Sequence, residues 1–217
     1  MQQMTEFWEK AFSENQLMWG EAPAASAVFT SDYFARMGIK RVLIPGVGYG
    51  RNAQVFLVHG MSVTGIEISD TAIALARSQL GFQFPIHHGS VANMPYDHEP
   101  FDGIFCYALI HLLDAQGRAK LIRDCYRQLA PGGLMVFSVI SKASSMYGQG
   151  TKLGEDWYER LPGLTMYFYD AASIEREFGA YGLFELSEMD EPMPSGAPLP
   201  FINVCCEKAR KTPEHVG

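Results

Sequence analysis

Long apolar runs are absent from this sequence. The longest uninterrupted runs fall well short of the ~20 residues that span a bilayer. The first residues, Met-Gln-Gln-Met-Thr-Glu, also lack the basic and then apolar pattern of an export signal. We therefore expect a soluble, cytoplasmic protein without a membrane partner.

Basic charge is scarce as well. The chain has 17 Lys and Arg residues against 24 Asp and Glu, which gives a formal net charge of −7. Affinity for nucleic acid comes mainly from clustered Lys and Arg, so this balance argues against a nucleic-acid partner.

Paired cysteines are also missing. The four cysteines form no C-x-x-C motif and stand at Cys106, Cys125, Cys205 and Cys206. The adjacent pair lies on a predicted strand, where neighbouring side chains point to opposite faces. The sequence therefore predicts neither disulfides nor a bound metal.

Nothing in the sequence divides the chain. It has no Pro/Ser-rich linker, charge block, internal repeat or low-complexity tract. A length of 217 residues with 47% hydrophobic content suits one domain with a sizeable core. We expect a single domain over residues 1–210, followed by a flexible polar tail over 211–217.

A glycine-rich turn is the most informative feature that the sequence does contain. The apolar run 42–44 predicts a buried strand, which Gly46, Gly48 and Gly50 follow at once, before a predicted helix from Arg51. Glycine lets a ligand approach the main chain closely and allows the positive φ that sharp turns require. The turn therefore predicts a ligand held against backbone, although an ordinary strand-to-helix turn would look similar.

An acidic residue ends the next predicted strand. Glu67 closes the stretch 61–66 and follows Gly48 by 19 residues. In a parallel sheet, strands joined by a right-handed helical crossover lie side by side, so their carboxyl ends border one crevice. A carboxylate there can accept hydrogen bonds from both hydroxyls of a ribose, while the backbone N–H groups opening a helix near Tyr49 and Asn52 suit an anion.

Further motifs follow in order along residues 41–140. Read from Gly46, the loop G-x-G-x-G resembles the first motif of class I S-adenosylmethionine-dependent methyltransferases. Gly-Ser-Val-Ala-Asn-Met-Pro at 89–95 resembles their adenine-contacting third motif, 101–111 their fourth, and 129–137 the start of their fifth strand. The Pro45-Gly-x-Gly loop and the aromatic N-terminal segment are similar to those of the thiopurine, thiol and tellurite-resistance branches of these methyltransferases.

This resemblance implies methyl transfer from S-adenosyl-L-methionine to a small-molecule acceptor, with S-adenosyl-L-homocysteine as the product. The cofactor-binding residues that it implies are Gly46, Gly48, Tyr49, Gly50, Asn52, Glu67, Ile68, Ser90, Val91 and Cys106. Ser90 and Val91 also suit a plain loop after the third strand. The acceptor's identity and the oligomeric state stay open.

Two other classes remain compatible with the sequence. Residues 48–53 fit the dinucleotide pattern G-x-G-x-x-A of nicotinamide-dependent oxidoreductases, but this match begins two residues late, because Gly46 already follows the strand. A non-catalytic S-adenosylmethionine-binding protein would carry the same cofactor motifs, since fold and cofactor site do not establish chemistry.

Alternating helices and strands predict a Rossmann-like, doubly wound α/β fold. The predicted helices are 5–15, 27–37, 51–58, 70–80 with Ser69 as its N-cap, 115–129 and 171–178. The predicted strands are 41–44, 62–67, 84–88, 101–106, 134–140, 183–189 and 201–207. No helix separates the last two strands. The resemblance implies a seven-stranded sheet, mostly parallel, with an antiparallel C-terminal strand.

Candidates for the acceptor side are Tyr107 and His111. They follow the predicted fourth strand, at the end of a parallel sheet where ligands bind, and either side chain can orient or deprotonate a nucleophile. His111 lies in the apolar stretch Ala-Leu-Ile-His-Leu-Leu, so a hydrogen-bonded packing role is equally compatible.

Two aromatic segments are free to cover this region. Residues 1–40 predict an N-terminal helical cover, and the insert 141–169 is rich in Tyr, Trp and glycine. We expect the insert to form a lid or pocket wall, with a packed surface excursion as the alternative.

Overall fold

The protein is described by a computed structural model over residues 2–94, 99–193 and 196–210. The tail predicted at 211–217 lies outside the described residues. The same holds for residues 95–98, which lie between the predicted strands 84–88 and 101–106.

Helices and strands alternate through most of the chain. The helices are α1 Gln2–Asn15, α2 Ala25–Arg36, α3 Ala53–Val58, α4 Asp70–Ser78, α5 Ala115–Gln128 and α6 Ala171–Phe178. The strands are β1 Arg41–Pro45, β2 Ser62–Glu67, β3 Ile86–His88, β4 Phe101–Tyr107, β5 Leu129–Ile140, β6 Thr151–Gly154, β7 Trp157–Leu161, β8 Leu164–Tyr167, β9 Leu183–Glu191 and β10 Leu199–Glu207.

Seven strands form the main sheet, in the order β3-β2-β1-β4-β5-β10-β9. Strands β1 to β5 pair in parallel, and β10 is antiparallel to both of its neighbours. This arrangement confirms the predicted fold class. The strand order reverses direction at β1 and β4, and in such sheets ligands bind outside the carboxyl ends at that point.

Apolar layers cover both faces of the sheet, which explains the near-continuous hydrophobic strands. On one face Phe34 of α2 and Phe56 of α3 pack with Phe105 of β4. On the other face Phe178 of α6 packs against Phe137 of β5. Both layers leave the carboxyl edge of β1, β2 and β4 to the loops.

Helix α4 begins as the sequence predicts. The Ser69 side chain accepts a hydrogen bond from the Ala72 backbone N–H at 3.0 Å. Helix α3, however, begins at Ala53 instead of residue 51, because two successive turns precede it: the Gly50 N–H donates to the Val47 carbonyl at 3.0 Å, and the Ala53 N–H donates to the Gly50 carbonyl at 2.9 Å.

Strand β5 begins five residues before the predicted position 134. Its Pro-Gly-Gly segment is typical of a turn, yet Leu129 pairs with Phe101 and a register shift absorbs the following residues. Strand β3 is shorter than predicted and comprises only Ile86–His88.

The insert 141–169 contains a second, three-stranded antiparallel sheet, in the order β6-β7-β8. The sequence analysis did not predict these strands, because their glycines and short lengths are typical of loops. The two ends of the insert lie next to each other beside the main sheet. Ser141 forms a β-bridge with Tyr169, and the Lys142 N–H donates to the Tyr169 carbonyl at 2.8 Å.

Candidate functional site

A cavity of about 290 Å³ lies at the carboxyl ends of β1, β2 and β4. Its inner part is bounded by the glycine loop, by Glu67 and by the loop after β3. Its outer part is bounded by the turn after β4, by the insert and by the start of β10. The two parts form one continuous space, which is the candidate active site.

The glycine loop is held in left-handed backbone conformations. Gly46, Gly48 and Gly50 have φ values of +67°, +58° and +86°. A Cβ atom at Gly46 would lie 2.9 Å from Leu109, and one at Gly50 would lie 2.9 Å from Phe82. At Gly48 the nearest neighbour, Phe12, is 3.8 Å away. Packing therefore requires the outer two glycines, whereas Gly48 keeps an open surface on the cavity.

Register explains why Glu67 lies beside this loop. Pro45 pairs with Ile66, so the chain turns at Gly46 next to the end of β2. The Glu67 carboxylate accepts hydrogen bonds from the backbone N–H of Gly48 at 2.8 Å, Ile68 at 2.9 Å and Ser69 at 3.0 Å. The loop and the acid are thus directly bonded.

Glu67 is only 5% exposed, yet it keeps capacity for a ligand. Its Oε1 accepts from the N–H groups of Ile68 and Ser69, while Oε2 accepts, among the described residues, only from the Gly48 N–H. A carboxylate has about four acceptor positions, so Oε2 has one to spare. Burial raises the pKa of Glu67, and the three backbone bonds oppose that shift.

The predicted cofactor residues divide into two groups in the structure. Those that line the cavity are Gly46, Gly48, Tyr49, Asn52, Glu67, Ile68, Ser90 and Val91. Gly50 and Cys106 do not form part of the wall. Gly50 faces Phe82 and Phe84, and the Cys106 side chain lies in the core among the residues under α5, where burial raises the pKa of its thiol.

Tyr49 and Asn52 also hold the N-terminal segment. The Tyr49 hydroxyl donates to the Gly20 carbonyl at 2.7 Å and accepts from the Trp19 N–H at 3.1 Å. The Asn52 side chain accepts from the Ala24 N–H at 2.9 Å. These bonds place the segment before α2 directly over the glycine loop.

Helix α1 docks on the first turn of α4. The Glu9 carboxylate accepts from the Ser69 hydroxyl at 2.6 Å and is also hydrogen-bonded to Thr71. These bonds hold the pKa of Glu9 below its usual value. The docking brings Trp8 and Phe12 of α1 to the cavity wall.

Tyr107 ends β4 at the junction of the two parts of the cavity. Its ring stacks on Phe201 of β10 with centroids 5.6 Å apart, and its hydroxyl interacts with the Arg51 and Glu191 side chains. Burial, with the nearby Glu191 carboxylate, raises the pKa of Tyr107 well above its usual value. Ala108 follows with φ +51°, which turns the chain sharply toward His111.

His111 lies in the short helical turn 110–112 and is 3% exposed. Its Nδ1 accepts a hydrogen bond from the Ile140 backbone N–H at 3.2 Å. Burial lowers the pKa of His111 to about 3. The ring is thus hydrogen-bonded within the core and also lines the cavity, a position compatible with either predicted role.

The insert supplies an apolar wall to the outer part. Met146, Leu164 and Met166 line the cavity. Met166 also belongs to a buried cluster with Ile140 and Phe201, which fixes the small sheet to the large one.

Charge is confined to one side of the cavity. Among the described residues that form its wall, only Arg51 and Glu67 carry charged side chains, and both belong to the inner part. The Arg51 guanidinium donates to the Ala22 carbonyl at 2.9 Å. The sequence did not point to Phe12 or Phe201 as site residues, because their places depend on segments distant in the chain.

The described ranges contain neither a metal-binding cluster nor a membrane-spanning helix. Within residues 2–94, 99–193 and 196–210, no group of three or more His, Cys, Asp or Glu side chains is placed to hold a metal ion. In the same ranges, no helix has the length and apolar character needed to cross a membrane.

Comparison with known proteins gives matches in sequence and in fold. Residues 42–133 match a family model described as a methyltransferase domain. The ubiquinone biosynthesis O-methyltransferase of Pseudomonas putida strain GB-1 is 30% identical over 124 residues, which cover 54% of this chain and 51% of that protein. The corresponding protein of Aromatoleum aromaticum is 31% identical over 121 residues, covering 54% and 50%. The chain spans about half the length of the curated relatives that it matches.

Solved structures share the fold across nearly the whole chain. The Burkholderia thailandensis 1,6-didemethyltoxoflavin-N1-methyltransferase, solved with S-adenosylhomocysteine bound, has a TM-score of 0.71 at 18% identity, covering 95% of this chain and 87% of its own. TehB from Haemophilus influenzae has a TM-score of 0.64 at 16% identity, covering 93% and 67%.

The strand order and the glycine loop define the class I methyltransferase fold. Together with the methyltransferase domain matched over residues 42–133, they support a class I S-adenosylmethionine-dependent methyltransferase, as the sequence motifs predicted. The cofactor of this class is S-adenosylmethionine.

Proposed function

We propose that this protein transfers the methyl group of S-adenosylmethionine to a small, largely apolar acceptor. The observation that carries the proposal is the continuous cavity, which runs from Gly48 and Glu67 to Tyr107 and His111. One part offers backbone N–H groups and a buried carboxylate, as a nucleoside requires. The other offers apolar walls with a few polar groups, as small-molecule sites commonly do.

The inner part fits the cofactor in its chemistry. Glu67 has a spare acceptor position for a ribose hydroxyl, and the open surface of Gly48 lets a ligand reach the main chain. We assign Ile68, Ser90 and Val91 to the adenine side, since they line the cavity beyond Glu67. Gly50 supports the loop from behind, and Cys106 has a packing role.

When bound, S-adenosylmethionine supplies a methyl group on a sulfonium, which is already an activated leaving group. The chain therefore has to position the acceptor and exclude water. Trp8 and Trp19 close the cavity from the N-terminal side, and Met146 and Met166 close it from the insert. We propose a single domain over 1–210, with 1–40 as cover and 141–169 as lid.

Calorimetry with S-adenosylmethionine, S-adenosylhomocysteine and NAD tests the cofactor. We expect both sulfur nucleosides to bind and NAD not to bind. Binding of NAD alone would instead support the oxidoreductase. Cofactor binding without turnover of any acceptor would support the non-catalytic protein.

The acceptor has two supported candidates. The Pro45-Gly-x-Gly loop and the aromatic N-terminal segment favour a soft nucleophile, as in the thiopurine, thiol and tellurite-resistance branches. The O-methyltransferase relatives favour a phenolic oxygen. A cytoplasmic small molecule suits both. Turnover measured over a panel of thiols, phenols, amines and inorganic anions separates these candidates.

A further inference from the structure

We propose that His111 orients the methyl acceptor as a neutral hydrogen-bond donor through its Nε2–H, and that transfer in this cavity uses no protein base. The proposal rests on the proposed function, because it assigns the outer part of the cavity to the acceptor. His111 is then neither a catalytic base nor a packing residue only, but a residue that positions the acceptor.

The tautomer follows from one hydrogen bond. A backbone N–H is always a donor, so the bond from the Ile140 N–H to Nδ1 requires a lone pair on Nδ1. A neutral imidazole then carries its proton on Nε2. Within the described part of the chain, no protein group is bonded to Nε2, and the ring lines the cavity. Nε2–H is therefore the polar group that His111 presents to a ligand.

The surroundings keep the ring neutral. It packs edge-on against Phe201 with centroids 5.8 Å apart, and a second proton on Nδ1 would point at the Ile140 N–H. The titratable side chains that share the cavity wall with His111 are Tyr49, Arg51, Glu67 and Tyr107. The adjacent small sheet carries Lys152, Tyr158, Glu159, Arg160 and Tyr167. Burial is the cause of the low pKa of His111.

Tyr107 does not act as a base in this arrangement either. Burial and Glu191 keep its phenol protonated. Glu191 is itself fixed at the start of α2, where its carboxylate accepts from the N–H groups of Ala25 and Ser26, each at 2.9 Å. The charged wall residues, Arg51 and Glu67, lie in the inner part.

This arrangement restricts the class of acceptor. The nucleophilic atom must bring its own available electron pair at neutral pH, as the thiolate of an acidic arene thiol does. That pair forms the new bond to the methyl carbon while the carbon–sulfonium bond breaks. The electrons of the broken bond stay on the sulfur, which leaves as a neutral thioether. An anionic acceptor becomes a neutral product, so no proton has to be removed.

Nitrogen-15 NMR of the protein with S-adenosylhomocysteine tests the tautomer without any turnover. The His111 signals are assigned by comparison with His111→Asn. We expect Nδ1 to show the shift of an unprotonated nitrogen and Nε2 that of a protonated one, unchanged from about pH 5 to about pH 8. The opposite tautomer, or titration within that window, would overturn the proposal.

The absence of a base is tested with two thiols of different acidity, thiophenol and phenylmethanethiol. Without a protein base, the midpoint of kcat/KM against pH follows the ionisation of each thiol and therefore differs between them. A midpoint common to both thiols would belong to the enzyme and would refute the proposal. Lack of turnover with either thiol, in protein that binds S-adenosylmethionine, would refute the acceptor class.

Two variants separate orientation from packing. His111→Asn keeps an acceptor near Nδ1 for the Ile140 N–H but removes the donor, whereas His111→Gln places an amide N–H near Nε2. We expect the KM for thiophenol to rise on the order of tenfold in His111→Asn, with partial recovery in His111→Gln and unchanged cofactor affinity in both. Equal losses in both variants would show a structural role only. Failure of wild-type protein to bind S-adenosylmethionine would instead contradict the proposed function.

Discussion

Glu67 accepts three hydrogen bonds from the protein's own backbone, so its replacement has two expected effects. Glu67→Ala removes the proposed ribose acceptor and weakens cofactor affinity tenfold to a hundredfold, as expected for charge-assisted bonds of about 1.5–3 kcal/mol. It also leaves the N–H groups of Gly48, Ile68 and Ser69 without their acceptor. We therefore expect lower stability in denaturant unfolding, whereas equal affinity by calorimetry would remove Glu67 from the site.

The raised pKa of Glu67 gives this prediction a pH dependence. Cofactor affinity should fall as the pH drops through that raised pKa, because a protonated carboxyl accepts fewer bonds. The pH dependence of folding stability has the opposite sign to that of cofactor affinity. A raised pKa means that the folded state binds the proton more tightly, so this residue's contribution to stability decreases as pH rises toward that value. Glu67→Gln, which does not titrate, is the control, and a parallel pH profile in both proteins would contradict the assignment.

Gly48 and Gly60 form a matched pair for testing the loop. Both have positive φ, +58° and +74°, but only Gly48 borders the cavity, and nothing lies within 4 Å of a Cβ at Gly60. Alanine at either position should cost about 1–3 kcal/mol of stability through backbone strain. Only Gly48→Ala should also weaken S-adenosylhomocysteine binding, by tenfold or more, because its Cβ would occupy the cavity wall beside Phe12, where we propose that the ligand contacts the main chain. Equal binding by the two variants would make Gly48 a turn residue only.

Eight of the ten residues that the sequence predicted for the cofactor line the cavity, but the sequence did not predict what else these residues bind. Local spacing places Glu67 beside the glycines, because a parallel sheet aligns the ends of its strands. The bonds from Tyr49 to Gly20 and from Asn52 to Ala24 join distant parts of the chain. Such pairings depend on how the N-terminal segment folds back, which no local pattern specifies.

Helix α1 depends on Glu9 for its position over the site. Glu9→Ala should weaken the docking of α1 on α4 and thereby raise the KM for the acceptor. We expect the docking free energy to fall by an amount near the lower end of the about 1.5–3 kcal/mol usual for hydrogen bonds to a charged group, because Glu9 is partly exposed. Glu14→Ala on the same helix is the control, because Glu14 is exposed and its recorded partner among the described residues is Lys10, in a surface pair. The lowered pKa of Glu9 means that its stabilisation is present above its unfolded pKa and is lost as pH falls through the folded value. Identical kinetics of the two variants would remove Glu9 from this role.

Helices and buried strands were predicted well because their apolar period is strong. Strand β2 and helix α6 have the predicted bounds. The strands of the insert were missed because short antiparallel strands depend on their partners for stability and not on their own composition. Lys142 contributes to this order through bonds of 2.6 Å to both Asp156 and Asp170, which join the insert to the start of α6.

Enclosure of the acceptor involves the whole molecule and is tested by hydrogen exchange. S-adenosylhomocysteine should slow exchange in residues 5–25 and 141–169 as well as in the glycine loop, because these segments close one cavity. Protection confined to 46–52, 67–69 and 89–92 would leave them as surface structure. Deletion of residues 1–20 should abolish methyl transfer and preserve much of the cofactor affinity, since the glycine loop and Glu67 remain.

The insert begins and ends at neighbouring points of the sheet, where Ser141 bridges Tyr169. A segment whose two ends are this close can be exchanged for another without moving the strands that it interrupts. Its removal would alter Met146, Leu164 and Met166 on the acceptor wall but none of the residues around Glu67. The part of the proposed acceptor wall that the insert supplies is therefore separable in sequence from the glycine loop and Glu67. Exchange of residues 141–169 between proteins of this fold would change that part of the wall and leave Tyr107 and His111 in place.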